Sequence, residues 1–261
     1  MSVVAAFAMP HPPIIIPEVG RGEEAKIRKT ADAFYECAEE IARLKPETII
    51  VASPHSVMYA DYFHISPGNG AKGSLSRFGA GGVRFEVAYD AALAEEIERL
   101  AAERNIPAGT DGERGADLDH GTLVPLYFIN KKYDGYKLLR VGLSGLPLET
   151  HFNLGRVIAE SAKLLDRRAV FVASGDLSHK LKEDGPYGYA KEAPVFDAAV
   201  TKAFSEGDLA RLTDIPPDLA DKAAECGLRS FVIMAGAIDG EGFKSKLLSY
   251  EGTFGVGYAV A

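Results

Sequence analysis

Apolar residues fall along the chain in two alternating styles. Short continuous blocks occupy Val3 to Met9, "ETIIVAS" (Glu47 to Ser53), "YKLLRVGLS" (Tyr136 to Ser144) and "RAVFVASGDLSH" (Arg168 to His179). Their length and branched side chains predict strands buried on both faces. Between them the period changes to that of a helix: Ile27, Ala31, Phe34, Ala38, Ile41 and Ala42 share one face of Ala25 to Leu44. Helices are also predicted over Ala91 to Arg104, Leu148 to Leu165 and Glu192 to Phe204, and, after Pro216-Pro217, through Glu225 to Ala237. This alternation predicts an α/β fold with a mostly parallel central sheet flanked by helices on both faces. The glycine-rich "SPGNGAKGSLSRFGAGGVRFEVAYD" (Ser66 to Asp90) reads as a hairpin excursion covering one sheet edge, and "KSKLLSYEGTFGVGYAVA" (Lys244 to Ala261) as closing strands. No repeat, linker or low-complexity tract divides residues 1–261, so one domain is expected.

Three predicted strands run directly into a histidine. His11 lies in "AFAMPHPPIII", His55 in "SPHS" and His179 in "SGDLSH". The prolines around His11 lock φ and remove amide donors, so the imidazole is held on stiff backbone, although proline also simply ends strands. Open α/β sheets bind ligands beyond the carboxyl ends of their strands, which is where these three rings are expected to meet. Neutral imidazole is a common metal ligand and titrates near neutral pH, so converging histidines suit metal binding coupled to proton transfer. Asp176 is close enough in sequence to His179 to orient its ring; a solvated turn carboxylate is the plainer alternative. His120, in "GADLDHGTLVPL" between Asp117 and Asp119, precedes a predicted helix, where capping is the plainer role.

The segment "AAECGLRSF" then offers two candidates side by side, Glu225 and Cys226. On a helix, neighbouring side chains diverge by about 100°, so only one of the pair faces a given site. Two histidines with Glu225 would make the open-faced triad of non-haem Fe(II) oxygenases, whereas two histidines with Cys226 favour zinc or copper. An exposed helix carboxylate and a small buried thiol are the ordinary alternatives.

Charge narrows the partner class. A formal net charge of −8 and a pI near 5.3 argue against nucleic acid or an anionic membrane, both bound through clustered Lys and Arg, and favour a small molecule or a protein. Two cysteines, Cys37 and Cys226, cannot build a disulfide framework, no signal or transit segment opens the chain, and a cytoplasmic location is expected. Other motifs carry less. "GNGAKG" fits a dinucleotide fingerprint but is not followed by a helix, and "GLSGL" lacks a glycine of the nucleophile elbow. His64 in "YFHIS" and His151 in "LETHFN" read as structural.

In order and spacing, "PHPP" (10–13), "SPHS" (53–56), "DHG" (119–121), "SGDLSH" (174–179) and the glutamate of "AECGLRSFVIMAGA" resemble the class III extradiol ring-cleaving dioxygenases of LigB type. The resemblance extends from Val3 to about Ala259. It implies that His11, His55 and Glu225 bind Fe(II), with a catechol-type substrate and O2 on the open face. It also implies that His179 is the base and that His120 contacts substrate or oxygen. The tail "SYEGTFGVGYAVA" looks like the branch associated with AMMECR1-type proteins, and the superfamily includes Memo proteins, which have a cysteine near the third ligand. Two functions follow: an Fe(II)-dependent extradiol dioxygenase, or a Memo-like metal-binding interaction or redox module with zinc or copper and an AMMECR1-type partner. Relatives of this kind are oligomeric, and a homodimer is the default expectation.

Overall fold

The computed structural model describes residues 2–261. Strand β1 (Val3–Met9), helices α1 (Pro17–Gly20) and α2 (Arg28–Leu44) and strand β2 (Thr48–Ser53) open the chain. A short β3 (Phe63–His64) and a hairpin of β4 (Gly70–Leu75) and β5 (Ala80–Ala88) follow, then α3 (Ala91–Glu103), β6 (Ala108–Gly109) and α4 (His120–Ile129). The chain continues through β7 (Lys137–Gly142), α5 (Leu148–Leu164), β8 (Ala169–Ser174) and α6 (Glu192–Glu206). Helices α7 (Pro217–Ala223) and α8 (Leu228–Ala237) precede the closing strands β9 (Ser249–Glu251) and β10 (Tyr258–Val260).

The four apolar blocks form one parallel sheet in the order β1-β8-β2-β7. Every residue of β2 and β8 is buried, as expected for strands covered on both faces. Alternation then sorts their side chains. Ile49, Val51, Val170 and Val172 join the core formed with Phe34 and Ile41 of α2 and Leu126 and Phe128 of α4. Ile50, Ala52, Phe171 and Ala173 join Val157 and Ile158 of α5 and Phe231 and Val232 of α8 on the opposite face. The glycine-rich excursion is an antiparallel hairpin, and bridges from Ile65 to Val141 and from Tyr89 to Leu138 cover the β7 edge on that side. On the other edge, Ala8 exchanges two backbone hydrogen bonds with Ala261, at 2.9 and 3.2 Å. No helix among the described residues is long and apolar enough to cross a membrane.

The predicted helix from Glu225 to Ala237 is corrected. Helix α7 stops at Ala223, Ala224 turns left-handed with φ 54°, and α8 begins only at Leu228. Glu225, Cys226 and Gly227 therefore lie in a break, where the Glu225 carboxylate accepts the Leu228 amide at 2.6 Å and satisfies one of the free amides at the start of α8. The 100° argument that set Glu225 against Cys226 does not apply to non-helical backbone. Helix α2 likewise begins at Arg28, the preceding Glu23–Ile27 being a tighter 3-10 turn.

Helices α5 and α8 cross in direct backbone contact. A Cβ on Gly155 would lie 2.0 Å from the Ile233 carbonyl oxygen, and one on Gly236 would lie 1.9 Å from that of Phe152. Gly155→Ala or Gly236→Ala must push the helices apart, with an expected loss of about 1–3 kcal/mol in urea unfolding. A second expectation concerns His151 in the first turn of α5. It is fully buried, contacts the Pro147 carbonyl at 3.0 Å through Nδ1, and accepts the Ser144 amide at 3.4 Å through Nε2. Burial, reinforced by the Arg229 charge, lowers its pKa from 6.5 to about 4. The unfolded chain therefore protonates this ring before the folded chain does, and stability at this position declines as pH falls from 6.5 toward 4. Against the wild type, His151→Leu should be less stable at neutral pH but lose less melting temperature across that interval.

Candidate metal centre

Loops from three strand ends and from the α7–α8 break converge at the carboxyl edge of the sheet. His11 follows β1, His55 follows β2, Asp176 and His179 follow β8, and Cys226 lies in the break. His11 Nε2 is 3.0 Å from His55 Nε2 and 3.6 Å from Cys226 Sγ, and donor atoms of the three residues lie within 4.8 Å of one another. Asp176, His179 and Cys226 form a second such group. Both groups lie at or beside a cavity of about 670 Å³, with His11, His55, His120, Asp176 and His179 in its lining and Phe78, Tyr187 and Phe254 among its aromatic walls.

Close backbone approach makes this meeting possible. A Cβ on Gly175 would fall 2.1 Å from Gly227 Cα, so the residue after β8 and the break before α8 touch only because Gly175 has no side chain, and a Cβ on Gly227 would strike the Phe231 ring at 2.5 Å. That contact lets the Asp176 amide donate to Cys226 Sγ at 3.3 Å. Two serines then orient the rings. Ser174 Oγ donates to the Gly121 carbonyl at 2.5 Å and so accepts from His11 Nδ1, 2.9 Å away, leaving the His11 Nε2 lone pair toward Cys226 and His55. Ser53 Oγ donates to Asp119 Oδ1 at 2.5 Å, and the same carboxylate accepts the Thr122 amide at 3.0 Å as the N-cap of α4. The capping role considered for His120 thus belongs to Asp119. His120 is the first helical residue, its ring tilted over that of His55 at 4.0 Å and edge-to-face with Phe78 at 5.3 Å.

Burial governs the charges. It is the main cause lowering His11 and His120 to about 3, and the neighbouring His55 lowers both further. His55 is also lowered, chiefly by burial. The rings are therefore neutral imidazoles at neutral pH, the form that donates a lone pair. His179 Nδ1 lies 2.5 Å from the Ala224 carbonyl, which can only accept, so its Nε2 is the free acceptor. Asp176 Oδ1 accepts the His11 amide at 2.8 Å, while burial raises the carboxyl to about 6. Cys226 is raised by burial and then by Asp176.

Of the residues anticipated from sequence, His11, His55 and Cys226 come together, and Asp176 and His179 stand beside them. Glu225 does not join them: its carboxylate is occupied at the Leu228 amide, and burial raises its pKa to about 7. Ser53, Ser174 and Arg140 were not anticipated. The first two carry a visible signal, since "VAS" closes both β2 and β8. Arg140 hides in an apolar strand; 1% exposed, it donates to Ser66 Oγ at 2.6 Å and to the Asp117 carbonyl at 2.7 Å, and lies 3.6 Å from Asp119. It thereby anchors the loop that delivers His120.

A parallel α/β sheet with histidine, cysteine and aspartate converging at its strand ends defines a candidate metal-binding protein. Residues 5–261 match the family of the catalytic LigB subunit of aromatic ring-opening dioxygenase, and the chain belongs to that family. It is 40% identical to protein CA_C1420 of Clostridium acetobutylicum over 267 aligned residues, which cover 100% of this chain and 57% of that protein. The chain thus spans little more than half of that relative. More distant relatives are the 2-aminophenol 1,6-dioxygenase beta subunit of a Pseudomonas species, 22% identical over 99% of this chain and 92% of that one, and 3,4-dihydroxyphenylacetate 2,3-dioxygenase of Escherichia coli, 21% identical over 85% of each. The fold also matches the crystal structure of uncharacterized protein JW3007 from Escherichia coli K12, with a TM-score of 0.60, 17% identity and coverage of 98% and 97% of the two chains.

Ser174→Ala should leave His11 without its acceptor and weaken divalent-metal binding by about 10- to 100-fold, measured by competition with a chromophoric chelator. Unchanged affinity with an intact melting transition would remove Ser174 from this role.

Proposed function

We propose that the chain is a metal-binding interaction or redox module in which His11, His55 and Cys226 hold one transition-metal ion beside the cavity. The observation that carries this reading is the position of Cys226 Sγ, 3.6 Å from His11 Nε2, while the Glu225 carboxylate is engaged at Leu228. The spacing fits such an ion. At metal–nitrogen and metal–sulfur bonds of about 2.0 and 2.3 Å, tetrahedral donors stand roughly 3.3 Å apart for N···N and roughly 3.5 Å for N···S. The separations here are 3.0 and 3.6 Å. A nitrogen and thiolate donor set suits zinc or copper better than the carboxylate triad of Fe(II) oxygenases. A bound ion would supply Lewis-acid or one-electron chemistry to an oxygen-bearing ligand.

The chain's own groups fit a small phenol beside that ion. Phe78, Tyr187 and Phe254 wall the cavity with aromatic faces and edges. His179 Nε2 is free to take a hydroxyl proton, and His120 offers a second neutral imidazole. These features, with the dioxygenases among the distant relatives, favour a second reading: O2-dependent opening of a catechol-type ring, with Fe(II) held through Glu225. An AMMECR1-type partner belongs to the first reading. The additional chain of the Clostridium relative, outside the matched 57%, supports a module that works beside another domain.

One set of variants separates the readings. Cys226→Ala should abolish tight metal binding, whereas Glu225→Ala should retain it and cost about 1 kcal/mol of stability as a lost helix cap. The metal-loaded protein, given O2 and a panel of catechols, should yield no yellow ring-opened product. Loss of metal from Glu225→Ala with retention by Cys226→Ala, or a yellow product, overturns the module in favour of the dioxygenase.

A further inference from the structure

We propose that the centre accepts a second divalent cation, held by Asp176 and His179, with the Cys226 sulfur shared between both ions. The inference rests on the His11, His55 and Cys226 site proposed above for its first ion and extends it by residues that the first ion does not use. Asp176, His179 and Cys226 each present a donor atom, and all three atoms lie within 4.8 Å of one another. Sγ belongs both to this group and to the His11 and His55 group. The Asp176 Oδ2 atom lies between the two imidazoles, 4.0 Å from His11 Nε2 and 3.9 Å from His179 Nε2.

Three physical features favour occupancy. The His179 Nδ1 hydrogen is committed to the Ala224 carbonyl, so the opposite nitrogen carries a lone pair without further rearrangement. Asp176 is buried, with its side chain only 9% exposed, and a carboxylate held this far from water is stabilised by a cation bound directly to its oxygen. A thiolate sulfur retains lone pairs after binding one metal and can bridge two. Nitrogen, oxygen and sulfur donors together suit a borderline cation of the zinc or cobalt(II) class.

The second ion would also have a consequence for proton transfer. A lone pair bound to metal cannot take a proton, so filling this site withdraws His179 from the acceptor role available to it in the one-metal form. Excess divalent metal would then silence chemistry that depends on this imidazole.

The test is a titration of metal-free protein with Co(II), following the sulfur-to-metal charge-transfer band, with bound zinc counted in parallel after gel filtration. The wild type should bind two equivalents. His179→Ala should bind one and keep the charge-transfer band through His11, His55 and Cys226, and His55→Ala should bind one through the other group. His179 lies at the cavity rim with 17% of its side chain exposed, and a melting curve shows whether the variant is folded. A single equivalent in wild type, or two equivalents in His179→Ala, overturns the second site and leaves the first standing. No bound metal in wild type overturns both.

Discussion

The candidate centre depends on a contact between two stretches of backbone that carry no side chain. Gly175, one residue beyond β8, and Gly227, one residue before α8, approach so closely that a Cβ on the first would overlap the second. Cys226 is brought to Asp176 and His11 by this contact. The α5–α8 crossing repeats the device at Gly155 and Gly236 and sets how near the sheet α8 can sit. Packed interiors yield little, so the sulfur position follows from glycine placement on three separate segments.

Around that contact the polar groups form an ordered support. The serines that end β2 and β8 turn their hydroxyls toward Asp119 and the Gly121 carbonyl, and each contact orients a ring or the helix that carries one. Arg140 holds the preceding loop from within the sheet. Burial keeps His11, His55 and His120 neutral, which in water would not hold through the acidic range. The centre thus pairs neutral nitrogen donors with two acidic groups, Asp176 and Cys226, whose burial favours their protonated forms and whose charged forms a bound cation would stabilise.

Much of the architecture was legible in the sequence because burial on two faces leaves an unbroken apolar block, and each of the four blocks is a strand of the parallel sheet. The hairpin and closing strands were legible from glycine spacing and turn residues. Helix existence was readable and helix boundaries less so, since Ala25 to Ile27 belong to a 3-10 turn. The break at residues 224–227 was not readable. "DKAAECGLRSF" carries helix-forming residues on both sides of a single glycine, and the left-handed turn at Ala224 is stabilised by contacts from elsewhere in the chain. Arg140 was missed for a related reason: one charged residue in an apolar strand reads as an exception until its partners appear.

Local order along the chain determined which residue types could take part: histidines at strand ends, a carboxylate three positions before His179, and a glutamate and cysteine side by side. It also carried the family resemblance, which needs only motif order. Tertiary structure alone decided which of Glu225 and Cys226 meets the histidines, because that choice depends on whether the backbone there is helical. A helix diverts one neighbour by a fixed angle, whereas a break lets one side chain cap α8 while the next turns toward His11 and His55. The sharing of one sulfur by two donor groups is likewise a property of distances between segments far apart in the chain, on which their local sequence places no constraint.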